Sequence, residues 1–230
     1  MVSSIDGGEM LHFDNVGLYD GLFVMQDQES RTLWNHISGE ALYGPHVGRT
    51  LGPVGNQMQM TVQEALEFDA QMHVAISDAP YSGGGRSSVP GQGNLGDSAE
   101  LMGMFIETLG EEDARRPRMD MGLGIWTDET RRYYPMEEIR DRRTLIDRLD
   151  GRDVLIYIEA RSATPTAIFV DAESATVEGD EILFDTGAVV RSGVLFDADG
   201  NRMEGERPQQ IFTRWYGYSL TFPGAEVYGE

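Results

Sequence analysis

The chain has 230 residues, 39 acidic and 18 basic, for a formal net charge of −21, and it contains neither cysteine nor lysine. The missing thiol excludes disulfides, thiolate metal sites and cysteine nucleophiles, and the missing amine excludes a Schiff base, a pyridoxal anchor and a P-loop lysine. An acidic surface of this strength repels nucleic acid and anionic membranes, and no apolar run is long enough to span a bilayer.

A strongly acidic chain is either disordered or adapted to salt. Disorder goes with few aromatics and low hydrophobicity. Here 40% of residues are hydrophobic, with 3 Trp, 9 Tyr and 9 Phe, so a halophilic protein is the better reading. At molar salt the Debye length falls to roughly 3 Å and self-repulsion is screened. The length fits a single domain with a sizeable core. The start, MVSSIDGGEML, has neither the basic nor the apolar region of an intact signal peptide.

In chain order, Leu11–Val54 reads as short strands with turn punctuation at Gly44-Pro45 and Gly52-Pro53. Thr61 followed by Glu64 forms a capping box that opens a helix near 61–70. MHVAIS is a candidate strand, and Asp78–Gly96 is a long Gly-, Ser- and Pro-rich loop. Asp97 with Glu100 opens a second helix, near 97–109, stopped by Gly110. Beyond Met121 the segment GLGIWTDETRRYYP reads as a hairpin, MEEIRDR as at most two helical turns, and TLIDRL-DG-RDVLIYIEA as a hairpin turning at Asp150-Gly151. TAIFVDAESATVEGDEILFDTG and GVLFDADGNRME read as two more hairpins.

The expected fold is therefore mainly β (a β-rich α+β fold) in one domain, with about two short helices. LHFDNVGLYDGLFVMQD and ILFDTGAVVRSGVLFDAD echo one another. The echo suggests two related strand-rich halves, about 11–77 and 121–230, joined by the loop and helix of 78–120. Common hairpin grammar is the alternative source of the echo.

The stretch GLYDGLFVMQDQESRTLWNHISGEALYGPHVGRTL resembles the family designated domain of unknown function 3179, through Met25, Asp27, Leu33, Trp34, Gly39, Glu40, Ala41, Gly44, Pro45 and Gly48. GIWTDETRRYYPMEEI, TLIDRLDGRDVLIYI with Asp147, and the ending FTRWYGYSLTFPGAEVYG are similar to later segments of that family. The resemblance implies a strand-rich fold of two related halves and an exported or envelope-associated setting, and it implies no activity. Many relatives carry a Cys-Pro-x-Cys segment ahead of the first block, a feature this cysteine-free chain lacks.

Candidate chemistry gathers in a few places. If TLWNHIS is a strand, Trp34, His36 and Ser38 share one face. They could then line a cleft with Glu40 and His46, where His and Glu could do acid-base work or hold a divalent metal. The competing reading puts Trp34 in the core and His36 half-exposed on a strand. In TRWYGY, alternation would put Arg214, Tyr216 and Tyr218 on one face, suited to a planar or anionic ligand. His12 and Asp14 form an H-x-D pair. Asp197–Asn201 suggests a turn more than a calcium loop, with an opportunistic divalent cation in high salt as its only metal reading. The arginines of DARRPR and RDRR suit surface ion pairs, and Ser82, Ser87 and Ser88 lie outside any G-x-S-x-G elbow. No cofactor is expected.

Three functions stay open. The first is a ligand-binding or interaction module of a halophilic cell envelope, with a pocket lined by Trp34, His36, His46, Arg214 and Tyr216. The second is a hydrolase or metal-dependent catalyst using His36, Glu40 and His46. The third is a surface protein whose exposed strands self-associate. The small-molecule or protein partner and the oligomeric state are not legible.

Overall fold

The computed structural model describes residues 3–53, 56–73 and 103–230. The expected strand MHVAIS lies mostly outside these residues, as do the Gly/Ser-rich loop with Ser82, Ser87 and Ser88, and the start of the 97–109 helix. Strands make up 39% of the protein and helices 12%, so the fold is mainly β.

A ribbon of β1 (Ile5–Asp6) and β2 (Glu9–Met10) precedes a four-stranded antiparallel meander of β3 (Phe13–Tyr19), β4 (Leu22–Asp27), β5 (Leu33–Asn35) and β6 (Ala41–Tyr43). Leu11, Trp34, Ala41 and Leu51 form its small core, flanked by Phe13 and Met25. Helix α1 (Val62–Phe68) starts at Thr61 with the expected capping box: Thr61 Oγ1 accepts from the Glu64 N–H, and Glu64 Oε2 accepts from the Thr61 N–H. Helix α2 (Gly103–Ile106) is a single turn within the expected second helix.

The remaining chain builds three stacked sheets. The first combines β7 (Met121–Trp126) and β8 (Arg131–Pro135), a hairpin as expected, with later strands; α3 (Met136–Arg140) follows as the short helix anticipated. The second is β9 (Thr144–Leu149), β10 (Arg152–Ile158) and β11 (Pro165–Phe169) in the order β11-β10-β9. Its first turn is at Asp150-Gly151, where φ of 49° and 77° place both residues in the left-handed region that a two-residue hairpin turn needs. The third is the meander β12 (Ala175–Glu178), β13 (Glu181–Phe184), β14 (Val189–Arg191) and β15 (Val194–Phe196). β16 (Gln209–Arg214) pairs with β7 in the first sheet. α4 (Trp215–Thr221) covers that sheet, and β17 (Glu226–Val227) adds to β8 in parallel.

The β11-β10-β9 sheet lies between the other two and is buried on both faces. On β10, Val154, Ile156 and Ile158 face Leu123, Ile125 and Tyr134 of the first sheet. Leu155 and Tyr157 face Ile182, Phe184 and Val190 of the third. Burial on both faces explains why VLIYI is apolar without a break. On the far side of the first sheet, Trp215 and Tyr218 of α4 pack on Tyr133 at ring separations of 5.0 and 5.5 Å.

Four local expectations need correction. TLWNHIS is strand only as far as Asn35. The Asn35 side chain accepts from the Ile37 and Ser38 N–H groups, and its carbonyl from Gly39, which turns the chain. TRWYGY is not a strand with alternating faces: β16 ends at Arg214 and α4 begins at Trp215. TAIFV pairs back onto β10, so the hairpin predicted to begin there is formed by β12 and β13. GVLFDADGNRME contributes β15 and a turn closed by an isolated Phe196–Arg202 bridge. Within the internal echo, the first Phe-Asp opens β3 and the second lies at the end of β13, while each copy turns near its middle, at Asp20-Gly21 and Ser192-Gly193.

Candidate functional site

The Trp34 region is a folding unit keyed by Asp27. Trp34 is fully buried, and its Nε1 donates to Asp27 Oδ2 at 2.8 Å. The same carboxylate accepts from the Ser30 hydroxyl at 2.7 Å, the Thr32 N–H at 3.1 Å and the Ser30 N–H. Burial opposes ionisation of Asp27, but the bonds from Trp34, Ser30 and Thr32 outweigh it and hold the carboxyl below its ordinary range. A Cβ at Gly44 would come within 2.8 Å of Thr32 Cα, so this turn packs backbone against backbone.

His36 and His46 have separate attachments. His36 Nδ1 meets the Phe23 carbonyl at 2.8 Å, which requires the Nδ1–H tautomer in the neutral ring. Burial lowers its pKa, against the effect of that bond. The His46 ring lies 5.8 Å from Trp34, and its Nδ1 is 2.6 Å from Arg49 Nη1. Glu40 is exposed, bridges Thr50 and lines an open groove of about 470 Å³ with Trp126, Arg131 and Phe222. Among the described residues no group of three or more His, Asp or Glu side chains is placed to hold a metal.

Arg214 caps α4 through its backbone, and Tyr216 is buried, its hydroxyl donating to the Gly21 carbonyl at 3.3 Å. Tyr216 and Tyr218 therefore stand on a helix, and Tyr218 points into the first sheet, donating to the Ile125 carbonyl at 2.6 Å. Other motifs resolve as surface structure. His12 pairs with Glu29 and Asp14 accepts from Gln28. Asp197 accepts from the Asn201 backbone and side chain, tying the turn together. Arg115, Arg116 and Arg118 pair with Asp113, Asp120 and Glu112.

The sequence reading missed a different constellation, at the end of β10. Glu159 is only 6% exposed, and no protein group among the described residues donates to its Oε1. It lines a cavity of about 160 Å³ together with Met58, Leu123, Thr166, Gln210 and Phe212. A Cβ on Gly193 would fall 3.3 Å from Oε1 and 3.4 Å from Met58 Cε, so the Gly193 backbone packs closely against this carboxyl. Burial raises the Glu159 pKa. A hydrogen bond from Tyr157 pulls it down, Glu64 pushes it up, and Arg207 pulls it down again.

Around this carboxyl the polar groups are tightly used. Arg207 donates to Thr166 Oγ1 (3.1 Å), the Ala167 carbonyl (2.8 Å), the Tyr157 hydroxyl (3.2 Å) and the Gly193 carbonyl (2.7 Å). The Gln210 amide oxygen accepts from Thr166 and the Ala167 N–H, and its nitrogen donates to the Ala167 carbonyl. Residues 56–60 form a strap over the cavity. Asn56 accepts from the Gln210 N–H, the Gln59 carbonyl accepts from Thr164, and Glu64 accepts from the Arg161 and Ser162 N–H groups.

Comparison with family models, with curated proteins and with solved structures gives no match to this chain.

Proposed function

We propose that the protein is a small-solute-binding module whose pocket lies beneath the 56–60 strap, with Glu159 as its polar anchor. The observation that carries this reading is the cavity itself: the buried Glu159 shares its wall with Met58, Leu123 and Phe212 and with the amides of Gln57, Gln59 and Gln210. Ligand sites characteristically combine apolar walls with a few fixed polar groups. A cavity of about 160 Å³ is close in size to an engineered apolar cavity of about 150 Å³ that takes up benzene, so the solute has roughly six to eight non-hydrogen atoms.

The acidic, lysine-free surface supports a protein adapted to brine. Assignment to the domain of unknown function 3179 family, with its exported or envelope setting, belongs to the same proposal. The binding role expected of Trp34, His36, His46, Arg214 and Tyr216 is thereby moved to Glu159 and its neighbours.

A panel of small solutes followed by thermal denaturation tests the pocket, because a ligand that binds only the native state raises its melting temperature. Met58→Trp fills the cavity from the strap. Saturable stabilisation of the wild type that Met58→Trp loses is the expected outcome. A panel with no such solute overturns the reading.

A further inference from the structure

We infer that the open groove lined by Glu40 is a second ligand site, separate from the pocket under the strap, and that it takes a neutral saccharide with one sugar ring lying on Trp126.

The three tryptophans are not alike. Trp34 and Trp215 are 0% and 1% exposed, and each indole N–H has an acceptor, Asp27 for Trp34 and the Asp113 carbonyl for Trp215. Trp126 is only half-buried and lies against Phe222, with ring centroids 5.1 Å apart. Among the described residues none accepts from its Nε1, which is not sealed from water.

The first sheet sets a polar row beside this ring. Gln209, Trp126 and Arg131 stand directly opposite one another on β16, β7 and β8, so their side chains leave the same face. Glu40, held by its bridge to Thr50, closes the groove from the N-terminal meander, and Asp128 in the turn between β7 and β8 adds a second carboxylate. Among the described residues the side chains of Glu40, Asp128 and Gln209 have no hydrogen-bond or ion-pair partner, and Arg131 spends one bond, from Nη1 to the Asp128 carbonyl. The space, about 470 Å³, is within the range of small-molecule sites, about 300–1,000 Å³.

This mixture selects the ligand class. A cation drawn to the two carboxylates meets Arg131, and an anion drawn to Arg131 meets Glu40 and Asp128. A hydroxyl suits both, because it donates to a carboxylate or amide oxygen and accepts from a guanidinium or indole N–H. Aromatic faces carry the negative side of the ring quadrupole, and the polarised C–H bonds on the apolar side of a pyranose ring are attracted to it.

The test uses maltose, cellobiose and N,N′-diacetylchitobiose, with tetramethylammonium chloride as the cationic alternative, at about 1 M salt, where self-repulsion is screened. Proton–nitrogen correlation spectra of the labelled full chain report the three indole N–H groups separately. Trp126→Phe, which keeps an aromatic ring on the sheet, identifies its signal by loss. At least one disaccharide is expected to shift the Trp126 indole saturably and to leave those of Trp34 and Trp215 in place. Glu40→Ala alters an exposed side chain outside the core and should weaken that binding roughly tenfold or more, the scale of one hydrogen bond to a charged group. Met58→Trp, which fills the pocket under the strap, should leave the disaccharide affinity unchanged. Equal shifts at all three indoles, or full affinity in Glu40→Ala, overturn the groove as the site. Binding of tetramethylammonium in place of the disaccharides overturns the saccharide class. A Trp126 indole that no disaccharide moves overturns the inference and leaves the pocket reading standing.

Discussion

Asp27→Asn tests whether the Trp34 segment is scaffold. The substitution preserves size and replaces one carboxylate oxygen by an amide NH2. If the amide oxygen takes the Oδ2 position, it still accepts from Trp34, the Ser30 hydroxyl and Thr32. The NH2 then faces the Ser30 N–H, donor against donor. A bond to a charged group contributes about 1.5–3 kcal/mol and a neutral one about 0.5–1.5, so each of the three retained bonds weakens by about 1 kcal/mol. The unsatisfied donors add about 1–3 kcal/mol. The expected loss is about 4–6 kcal/mol, which at about 2–4 °C per kcal/mol lowers the melting temperature by roughly 8–24 °C. Calorimetry at neutral pH, with near-UV circular dichroism to follow Trp34, measures it.

The pH dependence gives a second check on Asp27. Its folded pKa is depressed, so its stabilising effect is present above the unfolded value of about 3.9 and is lost as pH falls through the folded value. The gap between wild type and Asp27→Asn must close on acidification. A gap of under about 2 °C at neutral pH, or one that persists unchanged in acid, refutes the reasoning.

Glu159 predicts the opposite sign. Its folded pKa is raised, so the native state binds more protons than the unfolded chain between about 4.3 and the folded value, and stability falls as pH rises through that window. Glu159→Gln removes this segment, so its melting temperature relative to wild type should climb with pH; a constant difference across the window contradicts the buried carboxyl. The net charge of −21 predicts that the melting temperature rises steeply between roughly 0.1 M and 1 M salt, as the Debye length falls from about 10 to about 3 Å; a flat salt profile contradicts adaptation to brine. Gly124→Ala would drive a Cβ into the Tyr218 ring and should cost about 1–3 kcal/mol through overpacking; an unchanged melting temperature would mean that α4 is not fixed against β7.

The elements legible in the sequence are those fixed by local chemistry. Thr61 and Glu64 specify their helix start within four residues, and Asp150-Gly151 specifies its hairpin within two. TRWYGY was not legible because its local signal points the wrong way. Two tyrosines, a tryptophan and a glycine are weak helix formers, and alternation suggests a strand. The helix is imposed by tertiary contacts: Trp215 donates through its backbone to the Asp120 carbonyl and through Nε1 to the Asp113 carbonyl, while Tyr218 packs on Tyr133. Trp34 is in the core and His36 half-buried, as one of the two readings has it; only the strand is shorter, since the Asn35 side chain closes a turn after β5.

The candidate site was invisible because nothing in its spacing unites it. Glu159 follows VLIYI, Arg207 lies in a charged connection, and Met58 lies on a strap in the N-terminal half. Only the stacking of sheets brings them together. The contrast between the two buried glutamates then carries weight. Glu64 does structural work, and every contact it makes fits that work: it closes a capping box and fastens α1 to the turn between β10 and β11. Glu159, beside it, fastens nothing through Oε1. A buried acceptor without a partner costs about 1–3 kcal/mol, and glutamine in its place would keep the same volume without a charge. A ligand-free structural role gives no reason for the carboxylate. A place on the wall of the proposed pocket would.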